Sequence, residues 1–140
     1  ARAAGDAGGI YISHIRSESD RLLEAIDEAV EIGARSGAPV ELYHLKAAGV
    51  ENWGAARKSW AKIDSARAAG VDVSASMYPY TAASTSLTAC LPPWIQADGS
   101  LYPNLSDPEV RSRVRAEVEG GSGGWENWCA LATPAGSEHI

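Results

Sequence analysis

The sequence predicts an α/β fold of parallel strands joined by helices, and three observations carry that reading. Short β-branched runs alternate with longer amphipathic stretches in the order βαβαβ. Successive strands begin about 30 residues apart, the size of one unit of a (β/α)8 barrel or a doubly wound sheet. Each strand-to-strand connection holds a helix, which is what a parallel neighbour requires, whereas an antiparallel one needs only a tight turn.

Taken in order, residues 1–7 read as a loop, and residues 9–15 form a β-branched run bounded by Gly8 and Gly9, a strand. In Ser17-Glu18-Ser19-Asp20 an acid follows a serine by three positions, the pattern of a capping box. Leu22, Leu23, Ile26, Val30 and Gly33 then recur at helical spacing with acids between them, predicting a helix over 18–35 that stops at Ser36-Gly37. Residues 40–45 are a second strand after Pro39. A loop over 46–50 leads to a helix over 53–69 with Trp60, Ile63 and Ala66 on one side, ended by Gly70. Residues 71–78 alternate strictly, giving a third strand whose Val71, Val73, Ala75 and Met77 should meet the helices while Tyr78 faces the polar side.

Beyond it the pattern loosens. Residues 78–94 read as a long loop rich in hydroxyls and proline. Asp107 and Pro108 are the N-cap and first residue of a third helix. Residues 120–124 are a flexible glycine turn, and 128–132 a possible fourth strand.

Composition narrows the function. The chain is 45% hydrophobic and 21% charged, which excludes a disordered tail. Its net charge of −6 opposes a phosphate-tracking surface, so no nucleic-acid partner is expected. No apolar run approaches the roughly 20 residues of a membrane span, so no membrane partner is expected either. Cys90 and Cys129 are too few and too far apart for a disulfide scaffold or a zinc knuckle, which points to a reducing, cytoplasmic setting.

Working residues of parallel sheets gather at the carboxyl ends of strands. Those ends carry His14, then His44 with Lys46, then Tyr78. Adjacent parallel strands lie about 4.8 Å apart, so two imidazoles at matched positions can converge on one ion. A structural, hydrogen-bonded histidine is the commoner role for either residue alone. The pair is what shifts the balance. In an extended His44-Leu45-Lys46 the ammonium should sit about 6.6 Å further towards the mouth, suited to an anionic group of a substrate whose carbonyl meets the metal. Ser84 and Thr85 follow in a loop that could return over such a pocket.

A set of motifs sharpens this: Ser13-His14-Ile15-Arg16-Ser17-Glu18, His44-Leu45-Lys46, and the run from Tyr78-Pro79-Tyr80 to Ser84-Thr85. Together, over residues 8–95, they resemble the N-acyl-D-amino-acid deacylase (D-aminoacylase) family of the amidohydrolase superfamily. The resemblance implies a partial (β/α)8 barrel, with 8–95 as its best-matching βαβαβ core and 96–140 as irregular loop, helix and possible fourth strand. It implies zinc as cofactor, His14 and His44 as metal ligands, and Lys46, Tyr78 and Ser84 as residues holding the substrate's α-carboxylate. The implied reaction is hydrolysis of an N-acyl-D-amino acid to a carboxylate and the free D-amino acid. The family's His-x-His pair, bridging cysteine and acid/base aspartate are expected outside this segment, so no catalytic residue is assigned within it.

Residues 1–140 are accordingly expected to be one internal segment of a longer catalytic barrel, inactive without the remainder. Two other readings stand beside this one. One is a different amidohydrolase, such as a dihydroorotase-like cyclic amidase. The other is a non-catalytic α/β module that binds an anion, although no Gly-rich phosphate loop supports it.

Overall fold

Three parallel strands, β1 (Tyr11–Ser13), β2 (Val40–Leu42) and β3 (Val73–Ala75), form one sheet in the order β1-β2-β3. The structure, a computed structural model, describes residues 1–80, 82–121 and 124–132. It divides into two compact units, Ala1–Thr81 and Ala82–Ile140, and the sheet lies wholly in the first.

In that unit, α1 (Arg2–Asp6) replaces the expected loop. Its Arg-Ala-Ala-Gly-Asp composition favours a turn of helix, alanine being the best helix former. The helix α2 (Leu22–Ser36) begins four residues later than the spacing suggests, after an Arg21 that makes no side-chain cap. The expected capping box therefore does not form, and Glu18 is buried elsewhere. The predicted stop is observed: Gly37 has φ 72° and its amide reaches Gly33 O at 2.8 Å. A short 3-10 turn at Val50–Asn52 precedes α3 (Ala55–Ala68), and Gly70, at φ 88°, turns the chain into β3.

Tyr11, Val40 and Val73 are in register across the sheet, as are Ser13, Leu42 and Ala75. The core joins the buried Val40, Leu42 and Val73 to Leu22, Ala25, Ile26 and Ala29 of α2 and to Ile63 and Ala66 of α3. The other face carries Ile12, Glu41 and Ser74, with Ile12 57% exposed and the Ser74 hydroxyl donating to Glu41. The third strand ends sooner than its alternation implies. Met77 lies past it and is exposed rather than packed on a helix. It lines an apolar groove with Trp53, Trp60 and Ala75.

In the second unit, 3-10 turns at Leu87–Cys90 and Pro93–Gly99 interrupt the irregular stretch, followed by α4 (Leu101–Ser106) and α5 (Pro108–Gly120). Asp107 caps α5 as its sequence suggests, accepting from the Glu109 amide at 2.8 Å. Where a fourth strand was possible, Trp128–Ala132 is instead the helix α6. Asn127 explains the difference, because its Oδ1 accepts the Ala130 amide at 3.1 Å as an N-cap does. Part of the 120–124 turn, Thr81 of the Tyr78 motif and the last residues from 133 on lie outside the described residues. Among the described residues, no helix is long and apolar enough to cross a membrane.

Candidate functional site

His14 directly follows the last residue of β1, and His44 follows β2 with one residue between. Both thus stand at the carboxyl ends of neighbouring strands. The backbone at His44 is unusual. In a regular parallel ladder the amide reaching Ser76 O, after Ser76 N has reached Leu42 O, would be that of residue 44. Here it is Leu45, at 2.8 Å, so β2 carries a one-residue bulge at Tyr43-His44. His44 takes up the extra residue at φ 44°, the left-handed region, at a cost of about 1 kcal/mol for a side chain with a Cβ.

The bulge re-aims the side chains. His44 Nε2 comes to 3.0 Å from His14 Nδ1, with ring centroids 4.8 Å apart. Lys46 does not continue outward as an extended chain would. Its Nζ folds back to 3.1 Å from His44 Nδ1 and donates to His44 O at 3.3 Å. The expected 6.6 Å offset is corrected by this turn, and the ammonium belongs to the same cluster as the imidazoles.

Glu18 completes the group, and sequence reasoning missed it. The side chain is 1% exposed and lies 2.6 Å through Oε2 and 2.7 Å through Oε1 from Lys46 Nζ. Its Oε1 is also 3.0 Å from His44 Nδ1 and 3.6 Å from His14 Nδ1. One signal could have revealed it. The apolar helical period begins only at Leu22, which leaves Glu18 in a βα loop, where site residues collect. The adjoining Arg16 is braced by a two-bond contact with Glu28, at 2.8 and 2.6 Å, which holds that carboxyl below its ordinary range.

Tyr78 joins from the end of β3, with the Lys46 ammonium 5.7 Å from its ring centroid, within cation–π range. Ser84 belongs to the second unit, where it is exposed in irregular chain ahead of the Leu87–Cys90 turn.

The donor set suits zinc. Tetrahedral coordination with Zn–N bonds of 2.0–2.1 Å sets ligand atoms about 3.3 Å apart. The two facing nitrogens are 3.0 Å apart. Among the described residues, His14, Glu18 and His44 are the one group of three metal-ligating side chains whose ligand atoms all lie within 4.8 Å of one another. His14 is open to solvent and His44 is about one-fifth exposed, so the cluster is accessible from the strand-end side.

The chain is 45% identical over 87 residues to an N-acyl-D-glutamate deacylase of Alcaligenes xylosoxydans xylosoxydans, which covers 62% of this chain and 18% of the relative. The chain is similar to N-acyl-D-amino-acid deacylases. Among solved structures, an N-acyl-D-glutamate deacylase from Bordetella bronchiseptica, complexed with zinc and a phosphonate mimic of the tetrahedral intermediate, superposes with a TM-score of 0.55 at 39% identity. That match covers 57% of this chain and 17% of the relative. A D-aminoacylase described as defining a subset of amidohydrolases gives a TM-score of 0.54 at 35% identity, over 56% of this chain and 16% of the relative. The relatives are hydrolases, and the α/β segment seen here is part of their fold. The chain spans less than a fifth of their length. No protein-family model matches it.

Proposed function

We propose that the full-length protein hydrolyses the N-acyl amide of N-acyl-D-amino acids, using zinc held in part by His14 and His44. The observation that carries this reading is the approach of His14 Nδ1 to His44 Nε2, 3.0 Å, at the carboxyl ends of adjacent parallel strands beside a lysine. A catalytic zinc usually has three protein ligands, so at least one comes from outside the pair. When bound, zinc would polarise the amide carbonyl and lower the pKa of an attacking water.

The chain's own residues orient the substrate. The Lys46 ammonium is fixed at the edge of the cluster with the Tyr78 ring against it, and a substrate α-carboxylate would pair with that ammonium. Ser84 is assigned the further hydroxyl contact that the resemblance implies. Anchoring the carboxylate decides which face of the chiral carbon is presented, and so favours one enantiomer. The acidic net charge of −6 and a cysteine count of only two favour a cytoplasmic enzyme of small molecules, without nucleic-acid or membrane partners.

The test is a panel of N-acetyl-D- and N-acetyl-L-amino acids with the full-length protein, before and after chelation. Expected is amine release from the D-series alone, lost with chelator and restored by zinc. Zinc-loaded protein that leaves the D-series intact, or prefers the L-series, would overturn the assignment. Lys46→Ala should chiefly raise KM.

A further inference from the structure

Cys90 and Cys129 are far apart in sequence and meet inside the second unit. Cys90 ends the Leu87–Cys90 turn at 4% exposure, and Cys129, on α6, is partly exposed. The helix α6 packs on that turn, and the two thiols are hydrogen-bonded to each other. We propose that Cys129 is a site of reversible oxidation by peroxide and that Cys90 is the thiol that resolves it, closing a disulfide between the two.

The surrounding frame holds the thiols together. Gln96 Nε2 donates to Thr88 O at 3.3 Å, tying the Pro93–Gly99 turn to the turn that carries Cys90. Trp94 Nε1 donates to Glu117 at 2.8 Å and ties the same turn to α5. Asn127, 8% exposed, donates from Nδ2 to Val118 O of α5 at 2.7 Å, while its Oδ1 accepts the Ala130 amide and fixes the start of α6. These three side chains run a circuit from the Cys90 turn through α5 to α6, and the contact between the thiols closes it. A disulfide brings the sulfurs to about 2.0 Å. Cys90 is the last residue of its turn and Leu91 resumes extended backbone, so that approach is asked of two short elements rather than of a long helix.

Exposure divides the roles. Peroxide reaches Cys129 from solvent, whereas burial pushes the Cys90 thiol up to about 11 and keeps it protonated and shielded. The Cys129 sulfur, as thiolate, attacks one peroxide oxygen; the O–O bond breaks and leaves a Cys129 sulfenic acid and hydroxide, which takes up the proton the thiol gave. The Cys90 sulfur then attacks the Cys129 sulfur. The S–S bond forms, the S–O bond breaks, and the hydroxyl leaves with the Cys90 proton as water. Two thiols and one peroxide give one disulfide and two waters, the sulfurs losing the two electrons that the peroxide gains. Cys90 forms little thiolate, but its one target is held in contact with it, and proximity offsets that scarcity. The disulfide stops Cys129 short of the irreversible sulfinic acid, and a thiol reductant restores both groups.

The experiment treats reduced full-length protein with hydrogen peroxide at pH 8, blocks the remaining thiols with N-ethylmaleimide and maps the peptides without reduction. A peptide joining Cys90 to Cys129 within one chain is expected, and dithiothreitol should abolish it. In Cys90→Ser, dimedone should trap Cys129 as the sulfenic acid, and excess peroxide should carry it on to the sulfinic acid. In Cys129→Ser, Cys90 should oxidise about 200-fold more slowly than a free thiol. Wild-type protein in which Cys129 reaches the sulfinic acid without the link, stays reduced or pairs elsewhere overturns the proposal. Oxidation of Cys90 at the free-thiol rate in Cys129→Ser overturns the division of roles. Should a variant fail to fold, the wild-type peptide map decides. The map is read without metal or substrate, so the proposal and the deacylase reading stand or fall separately.

Discussion

His14 Nδ1 and His44 Nε2 face each other at 3.0 Å although 30 residues separate them along the chain. Two imidazole lone pairs at that distance repel unless a proton or a metal ion lies between them. In the proposed zinc site, loss of one partner would remove a bond for which no other described histidine substitutes. His44→Ala in the full-length protein should lower zinc affinity by more than the roughly 100-fold seen when an outer-shell partner is lost, and deacylase turnover with it. Chelator competition checks the first and amine release the second. Wild-type zinc affinity in the variant would rule out the metal role of His44.

Lys46 neutralises a carboxylate that water does not reach. Removing the cation while keeping Glu18 leaves a buried charge without compensation, a change that costs 3–5 kcal/mol at fully buried pairs. Lys46 is a quarter exposed, so the lower end, about 3 kcal/mol, is expected for Lys46→Met in denaturant unfolding. The double variant Glu18→Leu with Lys46→Met should be less destabilised than Lys46→Met alone, because the stranded charge is gone. Additive losses would mean that the two groups are not coupled.

The same cluster shows what a sequence can and cannot reveal. The helix stops at Gly37 and Gly70 were legible because a left-handed C′ residue is a local demand. The approach of His14 and His44 was legible as well, since strand-end positions one βα unit apart depend only on the parallel repeat. Lys46 was misplaced because one inserted residue at Tyr43-His44 changes the direction of everything after it, and nothing local in Leu-Tyr-His-Leu announces a bulge. Glu18 was read as the first residue of a helix because Ser17-x-x-Asp20 satisfies the capping-box pattern in sequence. Its burial depends on Lys46 and Ala48, which lie some thirty residues further on. The helix at Trp128–Ala132 turned on one side-chain cap from Asn127, too short a feature for periodicity to register.

Gly33 tests how closely α2 lies on the sheet. A Cβ built there would run into Val40 Cγ2 of β2, with Ala38 O at 3.4 Å and Val71 Cγ1 at 3.6 Å closing the other directions. Alanine would gain about 1 kcal/mol of helix propensity over glycine. Forcing a methyl into a close-packed contact costs about 1–3 kcal/mol. The contact should win, and Gly33→Ala should lower the urea midpoint by the equivalent of about 1 kcal/mol. Pairing it with Val40→Ala should remove the clash. A midpoint that rises in the single variant would show that α2 is free to move off β2.

Cys90 offers a pH-dependent readout in the second unit. It is 4% exposed, and burial followed by the neighbouring Cys129 thiol pushes its pKa up to about 11. At pH 8 only about one molecule in a thousand would then carry the thiolate, against roughly a quarter for an unperturbed cysteine near 8.5. Iodoacetamide should therefore modify Cys90 about 200-fold more slowly than a free thiol at pH 8, with the rate rising tenfold per pH unit up to about pH 10. The linkage has a definite sign: a raised acid favours the protonated folded state below its unfolded pKa. Stability held by this thiol should be intact below about pH 8.5 and lost as the pH climbs through about 11. Peptide mass spectrometry after timed alkylation reads the rate at Cys90 directly. Alkylation at the rate of a free thiol at pH 8 would mean that the pocket around Cys90 is open to water.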